Sequence, residues 1–569
     1  MSKDRKIVNN YREMIENTEK LYSDNIAYVY KKDYTAKEPE YIEKTFAQTI
    51  KDIRAFSTTL LNMGLRGKKV VLIGKNRYEW CVSYLAVTSG DMVIVPLDKA
   101  LPNNEIETLV RRSEAEVVIF DEKYMDVMTN IRQKSDNSVK FLICMDDVDV
   151  EQVQKFSDLV KKGQKLRDEG NKQYDEIEID KDKMSIMLFT SGTTNAPKAV
   201  MLSQQNICAN VCNLPNHFDM LSTDTMLSFL PIHHTFECTI TFIYGFYSGA
   251  KVAFCDGLKY IQKNLKEYKV NIFVAVPLVL ETMYKKILKA INDQGKTKLI
   301  GTATKISNTL LKLHIDVRKK LFKQVLDNFG GNLRIILYGG APMSKETTEG
   351  LNNFGIKTIQ GYGLTETSPV ITAESEERAK PGSIGFPLDN LEVKIDDPNE
   401  EGVGEILAKG PSIMLGYYKN EEETNRVLQD GWFRTGDFGY FDKDGFLYIT
   451  GRKKDIIVLK NGKNVYPQEI EFLINKIPYV SEVMVYAREQ DTTDTLLCAK
   501  IVYDETIVKE MFGEKTEEEY KKAIWEDVKK INQSLPIFKH IKKITITTEP
   551  LIKTTTQKVK RHEEMKKIQ

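Results

Sequence analysis

At 569 residues the chain exceeds one ordinary domain, and 41% apolar with 29% charged residues describes a soluble globular protein. Its 82 basic and 81 acidic residues leave a net charge of +1, which gives no general reason to expect nucleic acid as a partner. The opening Met1-Ser-Lys-Asp-Arg-Lys6 has no apolar core behind it, which argues against a secretory signal, and the longest apolar-leaning stretch, 239–255, is too interrupted to span a bilayer.

Residues 1–66 predict helices around a short strand pair near 27–30. From Lys69 short β-branched runs at 70–73, 92–95, 117–120 and 141–144 alternate with helix-length segments, the pattern of a parallel sheet with crossover helices. Residues 153–182 are rich in Lys, Asp and Glu and read as a solvated, helix-rich connection. A second set of strands follows at 226–229, 252–254, 272–276 and 333–337, with a long helical region at about 281–329 that carries Lys on its exposed faces. From Glu392 the strands shorten, predicting a small β-subdomain ending near Thr450, and a compact α+β segment runs from there to the end. Seven cysteines (81, 144, 208, 212, 238, 255, 498) lie without framework spacing and read as buried thiols. The expected fold is therefore α/β: mostly parallel sheets layered with helices, a small β-subdomain, and an α+β C-terminal domain.

The stretch Leu188-Phe-Thr-Ser-Gly-Thr-Thr-Asn-Ala-Pro-Lys-Ala-Val200 carries the first chemistry. An apolar strand delivers Thr190, Ser191, Thr193 and Thr194 into a loop, Gly192 lets the backbone approach a ligand, and Lys198 adds a cation: a cradle for phosphate oxygens. It is not a Walker loop, because Pro197 has no N–H to offer and Ala199 has no hydroxyl for magnesium. It resembles instead the TSGTTGxPKG motif of the adenylate-forming superfamily (acyl-CoA synthetases, peptide-synthetase adenylation domains and luciferases), with Asn195 and Ala199 in place of two glycines.

Further motifs match that superfamily in its order, so the resemblance covers roughly residues 40–562. Tyr338-Gly-Gly-Ala-Pro342 follows a buried strand, where Gly339, Gly340 and Ala341 let a flat ring lie on the backbone; in the family this segment packs on adenine. Gln360-Gly-Tyr-Gly-Leu-Thr-Glu-Thr-Ser368 offers Tyr362 as an aromatic face for adenine beside Gly363, Thr365 as a hydroxyl for the α-phosphate, and Glu366 as a hard ligand for Mg2+. Asp437 in Trp432-Phe-Arg-Thr-Gly-Asp437 matches the family's ribose-binding Asp; Arg452 can reach the same ribose, although such a pair is otherwise an ordinary ion pair. Asn461-Gly462 matches a loop lining the pantetheine tunnel, and Lys558, after Gln557 where Gly is usual, matches the catalytic lysine.

Phe229-Leu-Pro-Ile-His-His-Thr-Phe-Glu-Cys238 resembles the long-chain fatty acyl-CoA synthetase form of its segment, where His234 would stand beside the substrate carboxylate. The apolar run 242–247 reads equally as a tunnel wall or ordinary core. The resemblance implies ATP-dependent activation of a carboxylic acid, medium- to long-chain by preference, and transfer to coenzyme A. An acyl carrier protein as acceptor, an aryl or short-chain acid, and a non-catalytic nucleotide binder are the alternatives. It further implies an adenylation domain over 1–451, a mobile lid over 452–569 with its hinge at Lys454, a cytoplasmic location, and no transmembrane segment; peripheral contact with a membrane is left open.

Overall fold

The computed structural model describes residues 5–190, 197–459, 463–489, 495–553 and 559–568. It divides into two compact units, Met1–Val393 with Ala408–Arg434, and Lys394–Leu407 with Thr435–Gln569.

In the first unit the helix Tyr11–Tyr22 starts on Asn10, whose side chain accepts from the Glu13 N–H. The strands β1 (Ile26–Lys31) and β2 (Tyr41–Thr45) then pair antiparallel. Thr45 ends β2 and opens the helix Phe46–Asn62 through a reciprocal capping box with Gln48. The four predicted runs become β3 (Lys69–Ile73), β4 (Val93–Pro96), β5 (Val117–Phe120) and β6 (Phe141–Cys144), followed by β7 (Val153–Lys155), β8 (Met184–Thr190) and β9 (Lys198–Ser203). The later strands are β10 (Thr225–Ser228), β11 (Lys251–Phe254), β12 (Ile272–Ala275), β13 (Ile335–Tyr338), β14 (Lys357–Gly363), β15 (Val370–Ala373) and β16 (Phe386–Pro387). Short strands crowd together beyond Glu392, as expected: β17 (Glu392–Asp396), β18 (Gly404–Lys409), β19 (Gly416–Tyr417), β20 (Leu428–Gln429), β21 (Trp432–Phe441) and β22 (Leu447–Arg452).

Two sheets carry the first unit, in the orders β16-β15-β14-β13-β12-β10-β11-β1-β2 and β19-β9-β8-β4-β3-β5-β6-β7. Both have a parallel centre; the first is antiparallel at both edges, the second only at its β19-β9-β8 edge, since β7 at the other end runs parallel to β6. Their central strands are buried on both faces, hence the unbroken apolar runs that stood out in the sequence.

Residues 153–182 correct the sequence reading. They are not simply a solvated connection, because β7 extends the second sheet parallel to β6 and the helix Phe156–Asp168 packs on the helix Phe46–Asn62. Gly163 permits the approach: a Cβ there would lie 1.7 Å from the Ala55 carbonyl oxygen. The helical region between β12 and β13 is four helices, Pro277–Asp293, Thr297–Lys312, Arg318–Leu321 and Lys323–Asp327. The run 242–247 is core: Phe242 meets Trp80 and Tyr84 edge-on at ring distances of 6.0 and 5.6 Å within a wholly buried π-helix, Glu237–Tyr244. All seven cysteines are free, and all but Cys255 are buried.

The second unit contains the predicted α+β segment. A hairpin of Val480–Glu489 with Thr495–Tyr503 takes Lys543–Thr547 as a parallel third strand. The helices Pro467–Ile474 and Glu517–Gln533 contribute Ile470, Ile474, Ile524 and Val528 to its own core.

Candidate active site

Each sheet of the first unit has a point where strand order reverses: β10 lies between β11 and β12, and β3 between β4 and β5. Open α/β sheets bind ligands in the crevice beyond the strand ends at such points. Here the two crevices are joined, because Asn76, just after β3, donates from Nδ2 to Ser228 Oγ at 2.9 Å and to the Leu230 carbonyl at 2.8 Å, at the end of β10.

The loop 229–236 leaves β10 at this junction with both histidines half-buried. The Phe236 N–H donates to His234 Nδ1 at 3.3 Å, which in the neutral ring leaves the proton on Nε2. His233 Nε2 lies 3.7 Å from Asp98, yet burial pushes its imidazole down to about 4 and keeps it neutral near pH 7. A small, mainly apolar cavity, no larger than a water molecule, lies against the loop, lined by Tyr84, Ile186, Leu188, Ile207, His233 and Cys238.

Glu237 closes the loop and was not singled out in the sequence. It is fully buried, accepts from the Ser228 hydroxyl at 2.7 Å and from the Thr241 hydroxyl at 3.0 Å, and burial pushes its carboxyl up to about 8. A neutral acid thus ties the end of β10 to the π-helix and brackets the histidine loop.

At the expected phosphate loop, Thr190 ends β8 and is registered against Lys198 at the start of β9. Ser191, Gly192, Thr193, Thr194 and Asn195 lie outside the described residues. Lys198 pairs with Glu423, whose carboxyl is held down to about 2 by Arg426 and Lys198, and its ammonium stands 5.0 Å from the centre of the Tyr417 ring. Tyr417 reaches this point because β19 pairs antiparallel with β9. Its hydroxyl donates to Glu366 Oε1 at 3.0 Å, while the Glu366 carbonyl accepts from the Met414 N–H at 2.9 Å. Lys198, Tyr417 and Glu366 therefore form one continuous contact chain. Burial and the Glu366 charge hold the Tyr417 phenol protonated.

At the segment expected to hold a flat ring, β13 and β14 run parallel with Tyr338 opposite Gln360. A Cβ on Gly339 would lie 2.8 Å from the Gly361 carbonyl oxygen, and Gly340 takes φ +82°, so the glycine pair is required by the backbone. Gly340, Ala341 and Gly363 are exposed, Tyr362 is half-buried against the main core, and Thr365 opens the short turn Thr365–Thr367 that carries Glu366. A carboxylate on a turn that also carries hydroxyls is a donor set suited to magnesium.

In the second unit Asp437 on β21 is registered against Arg452 on β22 and paired with it at 3.0 Å. Asp437 is buried and Arg452 partly exposed. Gly462, Gln557 and Lys558 lie outside the described residues. The chain on either side of Lys558 is anchored: Lys553 bridges to Val559 and pairs with Glu482 at 2.6 Å, and Arg561 holds Glu471 at 2.5 Å.

Comparison with known proteins bears on the whole chain. The chain is 29% identical over 558 residues to long-chain-fatty-acid–CoA ligase 5 of Rattus norvegicus, covering 89% of this chain and 80% of that one. It is 29% identical over 463 residues to fatty acyl-CoA synthetase B of Dictyostelium discoideum, covering 76% and 68%. Among solved structures, the anthranilate CoA ligase AuaEII in complex with anthranoyl-AMP superposes with a TM-score of 0.76 at 19% identity, covering 100% and 98%. The Mycobacterium tuberculosis fatty acyl CoA synthetase superposes with a TM-score of 0.65 at 22% identity, covering 98% of each chain. The AMP-binding enzyme family matches residues 15–418 and its C-terminal domain residues 454–568, so the chain belongs to the AMP-binding, adenylate-forming enzymes.

Proposed function

We propose that this protein is an AMP-forming acyl-CoA synthetase of the cytoplasm, acting on a medium- to long-chain fatty acid in two steps at one site. The observation that carries the reading is the contact chain Lys198–Tyr417–Glu366, which joins the cation of the phosphate loop to a magnesium-type carboxylate. Long-chain preference rests on the relatives.

A carboxylate is a poor electrophile because a thiol cannot displace oxide. In the first step a carboxylate oxygen attacks the α-phosphorus of ATP, the α–β bridging P–O bond breaks, and pyrophosphate leaves with that electron pair. In the second the sulfur of coenzyme A bonds to the acyl carbon, the thiol proton passes to solvent, and AMP departs. The protein positions these groups and opposes charge developing on phosphate oxygens. Lys198 with Thr190, Ser191, Gly192, Thr193 and Thr194 cradles the β- and γ-phosphates, and Thr365 donates to the α-phosphate. Glu366 would hold Mg2+, which when bound supplies counter-charge to the triphosphate. Gly339, Gly340, Ala341, Tyr362 and Gly363 frame adenine, and Asp437 with Arg452 takes the ribose. The Nε2–H of His234 donates to the acid's carboxylate, and Lys558 bridges that carboxylate and the α-phosphate. Gly462 belongs to the segment that admits the pantetheine arm, and residues 452–569 act as the moving lid.

ATP–pyrophosphate exchange that depends on an added acid tests the first step. A panel from short-chain and aryl to long-chain acids ranks the substrates, and thioester formation with coenzyme A against acyl carrier protein decides the acceptor. Absence of acid-dependent exchange across the panel would leave only nucleotide binding.

A further inference from the structure

The crossover between β12 and β13 stands apart in charge. Residues 285–323 hold eleven Lys or Arg against two Asp, whereas the whole chain is balanced to within one charge. One of the two acids, Asp316, is already bound by Arg318 at 2.7 Å.

Its helix Thr297–Lys312 meets the core through a narrow face: Ser307 is buried, and Ile300 and Ala303 pack partly against the second hydrophobic cluster. Leu299, Ile306 and Leu313 recur every seven residues, two helical turns apart, and are 65%, 52% and 65% exposed. Each follows a lysine: Lys298, Lys305 and Lys312. Beyond the helix Ile315 and Leu321 are exposed as well. Single exposed leucines need no explanation, but a straight file of them flanked by a file of lysines is the composition of a helix lying in a lipid–water interface.

We propose that this face docks the protein on an anionic lipid bilayer, with Leu299, Ile306 and Leu313 entering the headgroup boundary and Lys298, Lys305 and Lys312 meeting lipid phosphates. The charge decides the occupant. A second copy would bring the same positive excess and be repelled, and a nucleic acid would leave the apolar file against hydrated phosphates. An anionic bilayer satisfies both files at once. The proposal goes beyond the ligase reading and does not depend on it.

Flotation of the full chain with vesicles of phosphatidylglycerol and phosphatidylcholine, against phosphatidylcholine alone, tests it. The parent should bind the anionic vesicles, bind the neutral ones far less, and lose binding as salt rises. Two triple variants, L299S/I306S/L313S and K298E/K305E/K312E, should each lose anionic-vesicle binding by about tenfold or more while keeping the parent's melting temperature and its pyrophosphate exchange with a water-soluble acid. Failure of the parent to bind anionic vesicles overturns the proposal, as does parent-like binding by both variants. Retention on duplex DNA without vesicle binding, or a dimer that only the apolar variant loses, also overturns it. Absent exchange activity in the parent sinks the ligase reading alone and leaves this one to the vesicles.

Discussion

Glu366 has one carboxylate oxygen taken by the Tyr417 hydroxyl at 3.0 Å. A hydrogen bond to a charged group contributes about 1.5–3 kcal/mol, so Tyr417→Phe should lower kcat/KM for Mg-ATP by about tenfold or more at little cost in melting temperature. Glu366→Gln keeps the shape and removes the charge; it should impair Mg-ATP use more than AMP binding, and unchanged activity across a magnesium titration would remove the assignment. Glu237 gives a stability signature instead. Unfolded, it ionises at the ordinary carboxylate value; folded, it holds its proton up to about pH 8 because it is buried. Between those values the folded state binds the extra proton, so this residue's contribution falls as pH rises through the window. Glu237→Gln removes that dependence, and the melting temperature of the variant relative to the parent should climb from about pH 5 to about pH 8. A flat difference would mean Glu237 is ionised in the fold. Glu366, Lys198 and His234 were legible because each sits inside a contiguous motif. Tyr417 and Glu237 were not, since one depends on β19 pairing with β9 across more than two hundred residues of chain, and the other is a single acid whose burial only the packed loop creates.

The hairpin of β8 and β9 shows what an element adds to its motif. Ala199 departs from the family glycine, and a need for positive φ there would have implied an impaired loop. It is instead a buried strand residue registered against Phe189, with its carbonyl accepting from the Tyr418 N–H at 2.8 Å. Extended backbone suits alanine, so the departure carries no strain at this position. Ala199→Gly should leave the adenylation rate within a few-fold of the parent and lower stability by about 0.5–1 kcal/mol, read from denaturant midpoints. A large rise in adenylation rate would instead mark the natural loop as impaired. Central strands were readable from their β-branched runs because parallel strands are buried on both faces. The strand β7 was not: its Val-Gln-Lys carries no apolar signal, and an edge strand needs only backbone partners.

At the scale of the whole molecule the proposed chemistry asks two things of one site. Adenylation needs the Lys558 ammonium at the α-phosphate, and thioester formation needs a path by which a thiol reaches the acyl carbon. The chain on both sides of residues 554–558 is fastened within the second unit, through Lys553 to Glu482 and Arg561 to Glu471. The proposed hinge, Lys454, lies in the single 3-10 turn Lys453–Asp455, which leads from β22 toward that unit's core. A hinge need only be a residue whose φ/ψ can change, and proline there would hold φ near −65°. Lys454→Pro should therefore spare acyl-adenylate formation and depress thioester formation by about tenfold or more, about 1.4 kcal/mol of barrier. Lys558→Ala should do the reverse, losing adenylation while still converting supplied acyl-adenylate to thioester. Measuring pyrophosphate release and thioester formation separately in both variants distinguishes the accounts. Loss of the same half-reaction in both would reject the two-conformation account and leave Lys454 an ordinary lysine in a turn.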